Sequence, residues 1–257
     1  MSLNLHLREQ GESGPVVLLL HGLFGSATNW GSIGRGLAGH YRVLTPDLRN
    51  HGQSPHHPDM SYAAMGEDIL ALLDRRGIDR CVLVGHSMGG KVAMQLALTH
   101  PQRVAGIAVV DMAPVAYRHR FDRIFRGFDA VDLANLVSRS EADEQMARNV
   151  IEPDVRAFLL QNLRKTNQGW RWRLNLDALR GAQREITGFA PPNRPYRGPS
   201  WFIHGTNSDY LLPEYEPEIF RHFPRAQVCP VAGAGHWVYA EKPQGFSACL
   251  KRFLGAL

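Results

Sequence analysis

The sequence predicts an α/β fold: a mostly parallel central sheet flanked by helices, with a helical segment inserted into it. Three observations carry this expectation. Up to about Met112, short and wholly apolar runs of strand length alternate with longer stretches of helical spacing. Between about Ala113 and Pro199 the strand-like runs stop, and from Trp201 onward they resume. Runs without polar alternation suit strands buried on both faces, which is what crossover helices on both sides of a parallel sheet produce.

Taken in order, VVLLL at 16–20, RVLT at 42–45, CVLV at 81–84 and IAVV at 107–110 read as buried strands. Between the second and third, Met65, Ile69, Leu72 and Leu73 recur at helical intervals, and Lys91 to His100 reads as the next helix. The insertion is Arg-rich and charged, with apolar residues three and four apart and no comparable strand, so it reads as a helical cap. Its proline-rich end, APPNRPYRGP at 190–199, is the natural return linker. WFIH at 201–204 and AQVCPV at 226–231 then resume the sheet, and a helix from Pro243 to Leu257 closes the chain. The expected division is a core of residues 1–114 and 200–257 and a cap, with its return linker, of residues 115–199.

At 257 residues and 44% hydrophobic content the chain can bury a substantial core. No apolar run approaches the roughly 20 residues a bilayer-crossing helix needs, and MSLNLHLREQG lacks a signal-peptide pattern, so a cytoplasmic location is expected. Cys81, Cys229 and Cys249 are odd in number and lack C-x-x-C spacing; reduced, packed thiols are expected, with neither a disulfide framework nor a zinc site. The net charge of +5 comes from arginines scattered along the chain rather than gathered in a stripe, which argues against a nucleic-acid partner. The segment from Val115 to Ala190 carries thirteen Lys and Arg against ten Asp and Glu, too small an excess to decide for or against an anionic substrate. Nothing in the sequence specifies an oligomeric state.

The chemistry concentrates in Gly85-His86-Ser87-Met88-Gly89, between a predicted strand and a predicted helix. A serine flanked two residues away on each side by glycine, at a sharp strand-to-helix turn, is the nucleophile-elbow arrangement: the glycines let neighbouring chain pass close, and the strained turn exposes the hydroxyl. A serine needs a base and an orienting acid. Among twelve histidines, His236 in Gly233-Ala234-Gly235-His236-Trp237 follows the last predicted strand and fits the base. His21, His51, His86 and His204, near other strand ends, and the loop residues His56 and His57 have structural roles open to them, and none is arranged as a metal ligand. The oxyanion formed on attack needs backbone donors. The amide of Met88 is one, and the turn His21-Gly22-Leu23-Phe24-Gly25 offers Leu23 as the other, with Phe24 as its alternative. For the acid two residues compete. Asp111 closes a predicted strand, and Asp209 lies on the predicted loop after Gly205. The run Asp47-Leu48-Arg49-Asn50-His51-Gly52 reads as a structural loop.

The motifs HGLFGS at 21–26, DLRNHGQS at 47–54, GHSMGG at 85–90 and GAGHW at 233–237 together resemble the α/β-hydrolase superfamily over essentially the whole chain. More narrowly, HGLFGSATNW, DLRNHGQSPH, DMAP at 111–114 and GTNSDY at 205–210 resemble the YbfF-like esterases and the abhydrolase domain-containing protein 11 group. That resemblance implies an α/β-hydrolase fold, hydrolysis of acyl esters or thioesters as small-molecule substrates, and no metal or organic cofactor. It also implies Asp111 as the triad acid with Ser208 as an auxiliary hydrogen-bonding group, Asp209 remaining the alternative.

The expected activity is therefore carboxyl-ester hydrolysis on short to medium acyl chains, and on acyl-CoA thioesters, through an acyl-enzyme on Ser87. Trp170, Trp172, Phe121, Phe125 and Phe128 should pack the cap helices together, and substrate contacts are expected from Phe24, Trp170, Trp172, Tyr210 and Trp237. Dehalogenases and epoxide hydrolases of this fold place Asp where Ser87 stands, which argues against them. A cofactor-free perhydrolase or a C–C bond hydrolase would use the same triad, and a non-catalytic binding protein of this fold would be expected to have lost Ser87 or His236.

Overall fold

The computed structural model describes residues 2–118 and 121–257; the positions 119 and 120, within the expected cap, lie outside the described residues. Strands β1 (Leu7–Gln10), β2 (Val16–Leu20) and β3 (Arg42–Pro46) open the chain, with helix α1 (Gly31–Leu37) before β3 and α2 (Tyr62–Arg75) after it. Strand β4 (Cys81–His86), helix α3 (Met88–Thr99) and strand β5 (Val104–Val110) follow. The inserted stretch holds α4 (Asp122–Asp129), α5 (Arg139–Ala147), α6 (Pro153–Leu160), β6 (Leu163–Thr166), β7 (Gly169–Trp172), α7 (Leu176–Gly181) and α8 (Gln183–Thr187). The chain ends with β8 (Ser200–Gly205), α9 (Glu216–His222), β9 (Ala226–Val231), α10 (Val238–Glu241) and α11 (Pro243–Leu254).

Seven strands form one sheet in the order β1-β3-β2-β4-β5-β8-β9, and every pairing is parallel except the antiparallel edge pair of β1 with β3. Each predicted strand lies within one of these. The edge strand β1 escaped prediction because LREQ, half-buried to exposed at the rim, carries little apolar signal.

Alternate residues of each strand supply opposite faces. Leu18, Leu20, Leu44, Leu83, Ile107 and Val109 join the apolar layer that α2 and α3 cover. Val17, Leu19, Val43, Val82, Val84, Ala108 and Val110 join the layer beneath α1 and α11. Burial on both faces is why these runs are apolar throughout.

Two sequence expectations are corrected. The inserted stretch contains a two-stranded antiparallel hairpin, with Leu163 opposite Trp172 and Thr166 opposite Gly169. Its strands, LRKT and GWRW, leave one side to solvent, so they read as polar; Gly169 takes the left-handed φ of 101° that closes the turn. Cys229 on β9 and Cys249 on α11 are joined in a disulfide, and Cys81 is a buried free thiol. A separation of 20 residues gave no sign of this pairing, which arises because α11 packs back across the strand that precedes it. Among the described residues no helix is long and apolar enough to cross a membrane.

Candidate active site

Strand β4 is buried along its whole length and delivers the chain to Ser87, whose φ of 51° and ψ of −117° are those of the first central residue of a type II′ turn. A side chain rarely accepts that conformation, and the packing around the turn enforces it. A Cβ on Gly85 would run into the backbone of Gly89, and one on Gly89 into the carbonyls of Leu20 and His21. The Ser87 amide donates to the Val110 carbonyl at 3.0 Å, tying the elbow to the next strand.

The neighbouring parallel strands end the same way. Among the described residues, Phe24 after β2, Asn50 after β3, Ser87 after β4 and Asp111 after β5 are the non-glycine residues with left-handed φ, at 62°, 66°, 51° and 52°. All four surround one rim of the sheet.

The Asp111 carboxylate is fully buried and collects three donors. The Gly205 amide lies 3.1 Å from Oδ1, and on Oδ2 converge the Ser208 hydroxyl at 2.5 Å and His236 Nδ1 at 2.7 Å. Burial pushes the Asp111 carboxyl up to about 6, against the opposing pull of the Ser208 hydroxyl and the Gly205 amide. Asp209, by contrast, is exposed to solvent. The strand order explains the difference: β8 lies between β5 and β9, so the end of β5 faces the loop carrying His236 across a single strand.

His236 is fixed from several sides. His86 Nε2 lies 2.9 Å from its carbonyl oxygen, and the His86 ring stands 4.6 Å away, centroid to centroid. Burial drives the His86 imidazole down to about 3, so it stays neutral at physiological pH. The Tyr210 ring stacks on the His236 imidazole at 3.9 Å and 21°.

At the turn after β2 the Phe24 amide donates to His51 Nε2 at 3.1 Å, and the Phe24 carbonyl accepts from Asn162 at 2.8 Å. The Phe24 amide is thus occupied in holding the turn. Met88 opens α3, where a first-turn amide has no acceptor within the helix. Among the described residues, neither the Leu23 nor the Met88 amide bonds elsewhere in the backbone.

The 47–52 run is structural. Asp47 accepts from the amides of Ala27 and Gln53 at 2.7 and 2.9 Å, and Arg49 forms a buried two-point pair with Asp68 at 2.7 and 2.9 Å. His21 receives the Leu48 amide at 2.9 Å, and burial lowers its pKa.

Ser87 and His236 open into a cleft of about 120 Å³, walled by Phe24, Tyr210 and Trp237 and, from the inserted stretch, Phe121, Ile124, Val155, Phe158 and Leu159. Phe24, Tyr210 and Trp237 therefore sit where substrate contact was expected. Trp170 and Trp172 do not. Trp170 lies between Arg139 and Lys165, at 5.8 and 5.5 Å, and Trp172 packs edge-on against Phe128 at 4.9 Å. Both are in the hairpin, and neither borders this cleft; Trp172 packs on Phe128 of the cluster that Phe24 forms with Phe125 and Phe128. Sequence reasoning missed the α6 wall, although Val155, Phe158 and Leu159 carry the spacing of one helix face.

A serine at a strained elbow and a histidine held by a buried carboxylate, on the rim of a parallel sheet, define a serine hydrolase of the α/β class. The chain belongs to the alpha/beta hydrolase fold family, whose model matches residues 15–243. It is 42% identical to the mouse (Mus musculus) sn-1-specific diacylglycerol lipase ABHD11, over 99% of this chain and 85% of that protein. It is 36% identical to the Escherichia coli esterase YbfF over 99% of both chains. A solved marine microorganism esterase, 34% identical, superposes with a TM-score of 0.95 over 98% of this chain and 100% of that one.

Proposed function

We propose that the protein hydrolyses carboxyl esters of short to medium acyl chains, and acyl-CoA thioesters with them, through an acyl-enzyme on Ser87. Likeness to proteins named esterases and lipases supports the ester class. Residues 115–199 act as a cap over a core of residues 1–114 and 200–257.

The observation that carries the mechanism is the 2.7 Å contact of His236 Nδ1 with Asp111. A proton held on Nδ1 by the carboxylate directs Nε2 to the serine. Ser87 Oγ attacks the acyl carbonyl carbon while its proton passes to Nε2, and the carbonyl oxygen becomes an oxyanion received by the Leu23 and Met88 amides. The bond to the leaving oxygen or sulfur breaks as the imidazolium protonates that atom, leaving the acyl group on Ser87. Water then attacks the acyl carbon, gives its proton to Nε2, and the free acid departs as Ser87 regains its proton. Asp111 stays ionised throughout, so activity falls as pH drops through its raised pKa. Tyr210 and the His86 link to the His236 carbonyl keep the imidazole in place.

The test is hydrolysis of p-nitrophenyl esters from acetate to palmitate and of acyl-CoA thioesters, with labelling by a fluorophosphonate. Ser87→Ala should reduce turnover by roughly 10⁴-fold or more and abolish labelling. A folded Ser87→Ala variant that keeps turnover would sink the proposal.

A further inference from the structure

A second cavity shares Leu23, Ser87, Phe121 and Tyr210 with the cleft. It holds only about 20 Å³ and is bordered by Leu23, Ser87, Met88, Tyr117 and Ile186, with Lys91 among its walls. Of the residues proposed to receive the oxyanion, Met88 borders this cavity alone and Leu23 borders both spaces, whereas His236 and Trp237 line only the cleft. This division has a chemical reading that rests on the proposed ester hydrolysis. The imidazole has to protonate the leaving atom, so the leaving group occupies the His236 side, in the cleft. The acyl chain then points the other way, into the small cavity.

Lys91 stands one turn after Ser87 on α3, on the same helix face, and is 1% exposed. Lysine is almost never buried to that degree without partners. Its Nζ donates to the carbonyls of Thr187 and Gly188 at 2.7 and 2.9 Å. Tyr117 stands over it at 4.8 Å, with Tyr62 and Phe189 at 5.7 and 5.8 Å. Two carbonyls and three rings hold the side chain extended across the cavity wall. Burial also lowers its pKa to about 7, in keeping with a tightly enclosed amine.

We infer that Lys91 is a specificity-determining residue that ends the acyl pocket and favours acetyl over the longer acyl groups of the proposed range. The observed space supports this, since about 20 Å³ is little more than one water-sized group requires. The carbonyls of Thr187 and Gly188 hold the far end of the side chain along this wall.

The experiment compares kcat/KM for p-nitrophenyl octanoate and acetate in the native enzyme, Lys91→Ala and Lys91→Met. Native enzyme should favour acetate. Lys91→Ala, which removes the wall, should raise the octanoate-to-acetate ratio by about tenfold or more, the scale that added methylenes in a fitted pocket command. Lys91→Met keeps the bulk without the charge and should stay within roughly threefold of native. A ratio unchanged in a folded Lys91→Ala, or shifted equally by Lys91→Met, overturns the inference. Should Lys91→Ala fail to fold, Ile186→Ala opens the same cavity from the inserted stretch; an unchanged ratio there overturns the acyl-pocket assignment. Absence of any native ester turnover would instead defeat the proposed function, which Ser87→Ala reports separately.

Discussion

Replacing Asp111 by Asn tests the triad acid and separates chemistry from stability in a single variant. Oδ1 accepts the Gly205 amide, so the oxygen of the substituted side chain would stay there and its NH₂ would take the place of Oδ2, between Ser208 and His236. The Ser208 hydroxyl can turn to accept, but His236 must then present a lone pair at Nδ1, which moves its proton to Nε2. That tautomer cannot take the serine proton. The expected loss in kcat is about 10⁴, or roughly 5.4 kcal/mol of transition-state stabilisation. Stability should move the other way. The folded carboxyl sits at about 6, above the ordinary value near 3.9, so the native state binds more protons than the unfolded chain across that window. Native stability therefore falls as pH rises from about 4 to 6, by something on the order of 3 kcal/mol, and the Asn variant is spared this loss. Stopped-flow and steady-state assays with p-nitrophenyl acetate, beside thermal melts at pH 5 and pH 7, measure both effects. Asp111→Asn should melt at or above the native temperature at pH 7, and Asp209→Asn should keep turnover within about twofold. An Asp111→Asn variant retaining more than a tenth of native kcat would refute the reasoning, most directly if Asp209→Asn lost it.

Ser208→Ala removes the hydroxyl that pulls the Asp111 carboxyl down. The acid limb of its kcat/KM profile should move up by about one pH unit, with the alkaline plateau within roughly tenfold of native; an unmoved limb would leave Ser208 without this role. Arg49→Met strands the buried Asp68 carboxylate and should cost about 3–5 kcal/mol, lowering the melting temperature by roughly ten degrees. Adding Asp68→Leu should recover much of that loss in a denaturant titration, and failure of both effects would mean the pair does not hold the loop.

What was legible depended on how far each signal is local. Buried parallel strands announce themselves because both faces are apolar, and GHSMG announces an elbow because Gly85 answers a contact with Gly89, four residues on. The two sites reaching across the sheet were harder. Asp111 and Asp209 looked alike as candidates because distance along the chain does not reveal that β8 sits between β5 and β9. Cys229 and Cys249 looked unrelated for the same reason. The hairpin stayed hidden because Lys165, Arg164 and Arg171 make its strands polar, and its two tryptophans, expected at the substrate, do not border the cleft at Ser87. The α6 wall was visible only as a helix face, with nothing in the sequence to say what that face would meet.

The left-handed residues at the ends of β2, β3, β4 and β5 divide the molecule for anyone who would redesign it. Strain of that kind costs about 1–3 kcal/mol per residue, so four of them consume an amount comparable to the net stability of an ordinary domain. The rim is therefore a poor place to look for thermostability, since relaxing Ser87 or Asp111 would release energy by moving the groups that chemistry needs in place. Stabilising changes belong on the helices and the outer sheet face. Substrate range, in turn, is open to change through Ile124, Val155 and Phe158, which face Ser87 from elements that bear none of the strain.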